Sequence, residues 1–306
     1  MGKRHRFCNK PVRSLTSSTR RRSQAPSEFD IPSFSRSISV MSQHTSRLEF
    51  ALRSSSDAGQ LIMQHYQSQE LGVESKADDS PVTVADKGAE KLIREQLAKE
   101  FPDDGILGEE FGDVESSSGY RWILDPIDGT KPFIHGVPLF GTLIGIEYKG
   151  RMVAGVCRMP ALQEVMYAEE GGGAWWQLGE QKPRAAQVSD ATSLDQSRLM
   201  FTEPSHAVRC GRQGVFDELL PAVRLARGWG DCYGHMLVAT GRAEIMLDPV
   251  MSAWDIAALI PIIREAGGSC TDWKFEENIF GGDGVSCVPG ILSEVQALLK
   301  DAPPIR

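Results

Sequence analysis

The phrase Trp122-Ile123-Leu124-Asp125-Pro126-Ile127-Asp128-Gly129-Thr130 constrains this chain more than any other stretch. A compact apolar run, Tyr120 to Leu124, has the look of a central strand. It is followed by two carboxylates three positions apart with a proline between them. Pro126 fixes its own φ and restricts Asp125, so the segment is expected to leave the strand in a rigid turn. Such a turn can aim both carboxylates and the Ile127 carbonyl into one cleft. The next element opens at Gly129-Thr130, where free backbone N–H groups can receive a phosphate. The alternative is an N-cap aspartate followed by an ordinary turn.

Two further acidic phrases stand apart from this one, Gly108-Glu109-Glu110 and Trp254-Asp255. Carboxylate oxygens without His or Cys among them suit Mg²⁺ better than zinc. Mg²⁺ held by a few carboxylates, with waters and a substrate phosphate completing its shell, points to phosphoryl chemistry. Glu109 and Glu110 are adjacent, so in an extended segment their side chains diverge and one of them faces the site. Asp255 opens an apolar helix, where the dipole favours an acid in any protein, and Asp86 has the same alternative as a first-turn acid.

Bulk properties narrow the partners. At 306 residues the chain can bury a large core. The net charge of −8 conceals an asymmetry: residues 1–45 carry nine Lys/Arg against Glu28 and Asp30, a segment charge of +7, leaving −15 on the remainder. A body that acidic repels nucleic acid and anionic membranes, so neither is an expected partner. Residues 1–45 are Arg-rich, Ser-rich and acid-poor, the profile of an organellar transit peptide, with a disordered basic tail as the alternative. No stretch reaches the length of a membrane span. Six cysteines without CxxC spacing indicate buried thiols in a reduced compartment. The six histidines form no HExxH, and no GxSxG elbow occurs, so zinc-hydrolase and serine-hydrolase chemistry lose their support.

Along the chain, apolar spacing predicts a helix over Leu48–Gln69. Thr83 onward reads as a short strand running into a second helix that ends before Phe101-Pro102. Ile106-Leu107 is a brief strand delivering Glu109. Leu139–Tyr148 and Arg151–Cys157 form a hairpin about Lys149-Gly150, and Val165–Ala168 continues it to a glycine turn at 171–173. Further on, Leu199–Phe201, Ala243–Leu247 and Val285–Val288 are strand-like. Phe216–Arg227, Gly230–Thr240, Ser252–Ala266 and Ile291–Lys300 are helical. Mixed strands and helices in both halves predict a layered α/β architecture, with domains at 46–190 and 191–306.

Gly108-Glu109-Glu110, Asp125-Pro126-Ile127-Asp128-Gly129-Thr130 and Trp254-Asp255 together resemble the signature of the inositol monophosphatase family of magnesium-dependent phosphatases, over roughly residues 48–300. The resemblance implies an αβαβα sandwich, a small phosphate-ester substrate, two or three Mg²⁺ ions and a homodimer. By the family's pattern Glu109, Asp125 and the Ile127 carbonyl hold one metal, and Asp125, Asp128 and Asp255 hold a second. Thr130, paired with Asp86, polarises the attacking water. Glu109, Asp86 and Thr130 are thus the expected catalytic groups, with Gly129 and Thr130 receiving the phosphate.

Lys131 and Pro132 stand where inositol phosphatases carry a second Thr and an Asn. Together with the Pro138–Ile144 phrase and Gly230-Asp231-Cys232-Tyr233, they resemble the histidinol-phosphate phosphatase branch, which serves histidine biosynthesis in plants and many bacteria. Two features depart from that branch: Pro132 where plant-like members often have Ser, and a loose match over Arg151–Gln187. Histidinol carries an ammonium and an imidazole, so its pocket should present acids, with Asp231, Cys232 and Asp248 as the expected substrate contacts. Lys131 should serve the phosphate or point outward. The alternatives are an inositol or broad sugar monophosphatase, and a catalytically silent scaffold, against which stands the filling of every ligand position. The histidine-biosynthesis reading implies a plastid address, with mitochondrion or cytoplasm as alternatives.

Overall fold

Leu48, Phe50, Ala51, Ala58 and Ile62 line the inner face of the first helix, α1 (Gln43–His65). The structure, a computed structural model, describes residues 43–68, 72–75, 81–300 and 302–303, so the proposed transit segment lies almost wholly outside the described residues. Strands β1 (Glu74–Ser75) and β2 (Pro81–Val82) pair as a small ribbon. No strand follows Thr83. Its hydroxyl accepts the Ala85 N–H, and the Asp86 carboxylate turns back to the Thr83 N–H, a capping box that starts α2 (Val84–Glu100) at once.

Next come β3 (Gly105–Gly108), β4 (Gly112–Val114), β5 (Tyr120–Asp128), the short α3 (Thr130–Ile134), β6 (Gly141–Tyr148), β7 (Arg151–Met159), β8 (Glu164–Glu169), β9 (Gly173–Leu178) and β10 (Arg184–Ala185). They form one sheet in the order β10-β9-β8-β7-β6-β5-β3-β4, antiparallel except for the β3–β5 pair. Contrary to expectation, β5 does not break at Asp125. It runs on to Asp128, because a register shift against β6 accommodates Pro126 within the ladder.

The second half comprises β11 (Arg198–Met200), α4 (Pro204–Arg209), α5 (Gln213–Ala222), β12 (Leu225–Arg227), α6 (Asp231–Ala239), β13 (Ile245–Asp248), α7 (Ala253–Ala257), α8 (Leu259–Glu265), β14 (Ser269–Thr271), β15 (Gly284–Cys287) and α9 (Leu292–Leu299). Its sheet has the order β12-β11-β13-β15-β14, with β12, β11 and β13 parallel and β15 antiparallel to both neighbours. Two helices are shorter than the apolar spacing suggested. The expected Phe216–Arg227 helix stops at Ala222, since Val223 turns extended and Leu225–Arg227 pairs with β11. The expected Ser252–Ala266 helix divides at Ala258. Pro261 has no N–H to give the Ala257 carbonyl, which leaves two short helices in place of one.

Both faces of the first sheet are buried, and neighbouring residues serve different cores. Trp122, Leu124, Ile144 and Ile146 pack with α1 and α2, whereas Ile123 and Leu143 face the core shared with α6–α8 and the second sheet. That core continues through Leu199, Ile245 and Met246 to Phe216, Leu219, Val295 and Leu299 on α5 and α9. The layering is the αβαβα sandwich.

Candidate metal centre and substrate cleft

In a regular strand, residues 125 and 128 would point to opposite faces. Asp125 opposes Leu143, but Asp128 opposes Gly141, so three steps on β5 match two on β6. The extra residue changes the alternation and brings both carboxylates to one side. Pro126 contributes its carbonyl to the Thr142 hydroxyl at 2.9 Å, which fixes the bulge from the neighbouring strand.

Asp255 reaches the same place from the other half. Gly145 on β6 and Gly155 on β7 are cross-strand partners. A Cβ on Gly155 would overlap the Ala258 carbonyl, and one on Gly145 would lie 2.9 Å from the Ala257 Cβ. The two glycines form a window into which the α7–α8 junction sinks, two to three residues beyond Asp255. Ser252 caps α7, and its N–H bonds one oxygen of Asp255 at 2.7 Å. One carboxylate oxygen from each of Asp125, Asp128 and Asp255 then lies within 4.8 Å of the others.

The electrostatics of this trio call for a cation. Asp125 is held well above the usual carboxylate range, first by burial and then by repulsion from Glu109, Asp128 and Asp255. Asp128 is raised likewise, by burial and by Asp231 and Asp255, although the Cys232 N–H bonds it. Asp255 is pushed up to about 7, chiefly by burial and against the pull of the Ser252 N–H. Oδ1 of Asp125 is buried without a hydrogen-bond partner. Buried oxygens left unpaired beside like charges are costly, and a hard divalent ion removes that cost by reversing the local charge balance. An all-oxygen set with an orphaned buried atom fits Mg²⁺.

Glu109 extends the cluster, since its carboxyl acts directly on Asp125. The Glu109 N–H bonds the Leu124 carbonyl at 3.2 Å, which ties the end of β3 to the residue before Asp125. The Thr130 hydroxyl lies 3.0 Å from the Ile127 carbonyl and 3.4 Å from Oδ1 of Asp86. Asp86 is raised by burial, against two lowering bonds from Thr83. Gly129 adopts the left-handed conformation at φ 85°, and a Cβ there would meet the Leu139 carbonyl at 2.9 Å. It therefore turns the chain from β5 into α3, which has only five residues.

Beside the cluster opens a cleft of about 190 Å³ lined by Asp128, Thr202, His206, Asp231, Asp248, Val250, Met251, Ser252 and Asp255. Asp231 and Asp248 both line this cleft. Asp231 has φ 50°, a strained position for a residue with a side chain, and its N–H is held by the Thr202 hydroxyl at 2.8 Å. Burial pushes its carboxyl up to about 7, with Asp248 and Asp255 adding to the rise. Cys232 is placed differently from the expectation. Its side chain is buried against Met159, with the sulfurs 3.5 Å apart, and only its N–H serves the site. Lys131 points outward to Glu203 at 2.9 Å.

Sequence reasoning missed Thr202, His206 and His235. Thr202 follows β11, and Asp248 ends the parallel neighbour β13, so both sit at the carboxyl ends of strands, where open α/β sheets bind ligands. That rule could have found Thr202 from the strand alone. His206 lines the cleft from α4, and burial lowers its pKa despite Glu203. His235 is fully buried: Nδ1 lies 2.7 Å from the Ser286 hydroxyl and Nε2 lies 3.7 Å from Asp248. Nothing in its spacing signals that contact.

Known proteins resemble this chain. A sequence model of the inositol monophosphatase family matches residues 43–301. The histidinol-phosphatase of Chlorobaculum parvum is 46% identical over 241 residues, covering 79% of this chain and 91% of that protein. The bifunctional phosphatase IMPL2, chloroplastic, of Arabidopsis thaliana is 34% identical over 221 residues, covering 71% of this chain and 62% of that protein. Among solved structures, the extragenic suppressor protein suhB from Bartonella henselae superposes with a TM-score of 0.77 at 29% identity, covering 84% of this chain and 99% of that one. With the fold, the acidic trio and these matches in agreement, the chain belongs to the inositol monophosphatase family.

Proposed function

We propose that the chain is a Mg²⁺-dependent histidinol-phosphate phosphatase, releasing phosphate from L-histidinol phosphate in histidine biosynthesis. The observation that carries this choice of ester is the cleft, where Asp231 and Asp248 face the space beside the metal centre. Two acids in a partly enclosed cleft favour an ammonium or imidazolium group over a neutral polyol. Burial lowers the His206 pKa, so its ring adds less opposing charge near neutral pH than an exposed histidine would. The high identity to a histidinol-phosphatase supports the same reading.

Asp125, Asp128, Asp255 and Glu109 would hold the ions, with the Ile127 carbonyl as a further oxygen donor. Bound there, Mg²⁺ supplies positive charge for the phosphoryl oxygens and acidifies the attacking water. The chain's own residues do the rest. Thr130 orients the water through its hydroxyl and passes a proton towards Asp86. Burial raises the Asp86 pKa, which makes its carboxylate a better proton acceptor than an exposed aspartate. The basic, Ser-rich residues 1–45 serve as a plastid transit peptide in this proposal, and the active form is a homodimer.

The test is phosphate release with Mg²⁺ from L-histidinol phosphate and from inositol 1-phosphate. A kcat/KM preference of about tenfold or more for the first is expected, the yield of one good charge-assisted contact. Equal rates, or a reversed preference, would overturn the choice of substrate.

A further inference from the structure

We propose that Glu90 is a positioning residue for the metal centre, acting through the loop that carries Glu109; the inference rests on Glu109 being a ligand. Glu90 lies on α2 one turn after Asp86, and its side chain is fully buried. It spends its carboxylate on that loop. Oε2 accepts the Glu110 N–H at 2.8 Å, and Oε1 accepts the Phe111 N–H at 3.2 Å. Arg94, the next turn along, donates Nε to Oε1 at 2.7 Å, and its Nη2 reaches the Gly112 carbonyl on the far side of the same loop. Gly108 rests directly against the carboxylate, and a Cβ at that position would overlap Oε1.

Glu109 is therefore gripped from both directions. Its own N–H is bonded to Leu124, and the two N–H groups that follow are bonded to Glu90. A carboxylate accepting three N–H donors in a buried site holds their geometry tightly. Glu90 itself is spent on these bonds and has no part in the chemistry. Helix α2 thus serves the centre twice, delivering Asp86 to Thr130 and bracing the strand end that aims Glu109 at Asp125.

A role confined to stability would lower the melting temperature and leave the Mg²⁺ affinity of the folded protein alone. A brace must change the affinity. The experiment is a calorimetric titration of the full chain with Mg²⁺, without substrate, for the wild type and Glu90→Gln, folding being checked by circular dichroism. Glu90→Gln keeps the volume but turns a donor towards donors, and its Mg²⁺ affinity should fall about 10- to 100-fold. Wild-type affinity in folded Glu90→Gln would overturn the brace while leaving the metal reading intact. Should that variant fail to fold, Arg94→Gln, at a partly exposed position, decides in its place. A loss of about threefold or more supports the brace, and unchanged affinity overturns it. A wild-type protein that binds no Mg²⁺ would overturn both readings together.

Discussion

The two sheets contribute to the site in different ways. The first half fixes its acids through backbone: Asp125 and Asp128 by a bulge between paired strands, Glu109 by the end of β3, Asp86 by a capping box. The second half offers acids at strand ends and helix starts around open space, with Asp231 and Asp248 facing the cleft. Asp255 is the exception, a second-half residue carried into the first half's cluster by the glycine window. In the proposed function the contrast separates chemistry from recognition. The acids proposed for the reaction are built into a ladder that cannot shift without losing the core, whereas those proposed to meet the substrate line open space.

That division can be broken by experiment. Asp128→Asn should lower kcat on the order of 10³-fold or more for any ester, because it removes a proposed ligand of the charge-stabilising centre. Its melting temperature without Mg²⁺ should match or exceed that of the wild type, since one like charge leaves a crowded site. Substantial activity in this variant would place the chemistry elsewhere. Asp231→Asn or Asp248→Asn should instead lower kcat/KM for histidinol phosphate about 10- to 100-fold, the value of a hydrogen bond to a charged group, while inositol 1-phosphate hydrolysis changes little. Equal losses on both esters would merge the two roles.

A pH series sharpens the same comparison. The raised carboxyls of Asp255 and Asp231, moved from 3.8 to about 7, bind more protons in the folded state than in the unfolded state between those values. Their contribution to metal-free stability is therefore full below about pH 4 and is lost as the pH rises to about 7. Saturating Mg²⁺ displaces those protons at Asp255, so the decline in melting temperature should flatten in its presence, and Mg²⁺ affinity should increase across the same window. A melting temperature that rises from pH 5 to 7 without Mg²⁺ would contradict the clustering. The smallest effect belongs to Lys131→Ala. Its pair with Glu203 is largely exposed, with side chains 59% and 32% accessible, so stability should move by less than about 1 kcal/mol in denaturant unfolding.

Much of this was legible in residues 100–170, where strands are long and apolar runs alternate. The hairpin at Lys149-Gly150 and the run from Tyr120 stand as their patterns suggest. Helix ends were harder to read, because Pro261 and the pairing of Leu225–Arg227 override an apolar spacing that is otherwise continuous. The structure shows the caps at Asp86 and Asp255, and each N–H of these caps uses one carboxylate oxygen. Oδ2 of Asp86 takes the Thr83 N–H while Oδ1 faces Thr130, and Oδ2 of Asp255 takes the Ser252 N–H. A carboxylate has two oxygens, so an acidic helix start can be both cap and ligand. The bulge at Pro126 had no such signal, since a register shift depends on the partner strand as much as on its own residues.

That shift has a consequence for how such sites tolerate change. A variant whose β5 paired with β6 in regular register over Asp125–Asp128 would preserve every residue the centre uses, yet send one of the two aspartates through the sheet into the opposite core. A variant of that kind would pass any inspection of composition and fail as a container for ions. The spacing of the two aspartates and the bulge must therefore change together, a rule that substitution tables do not contain.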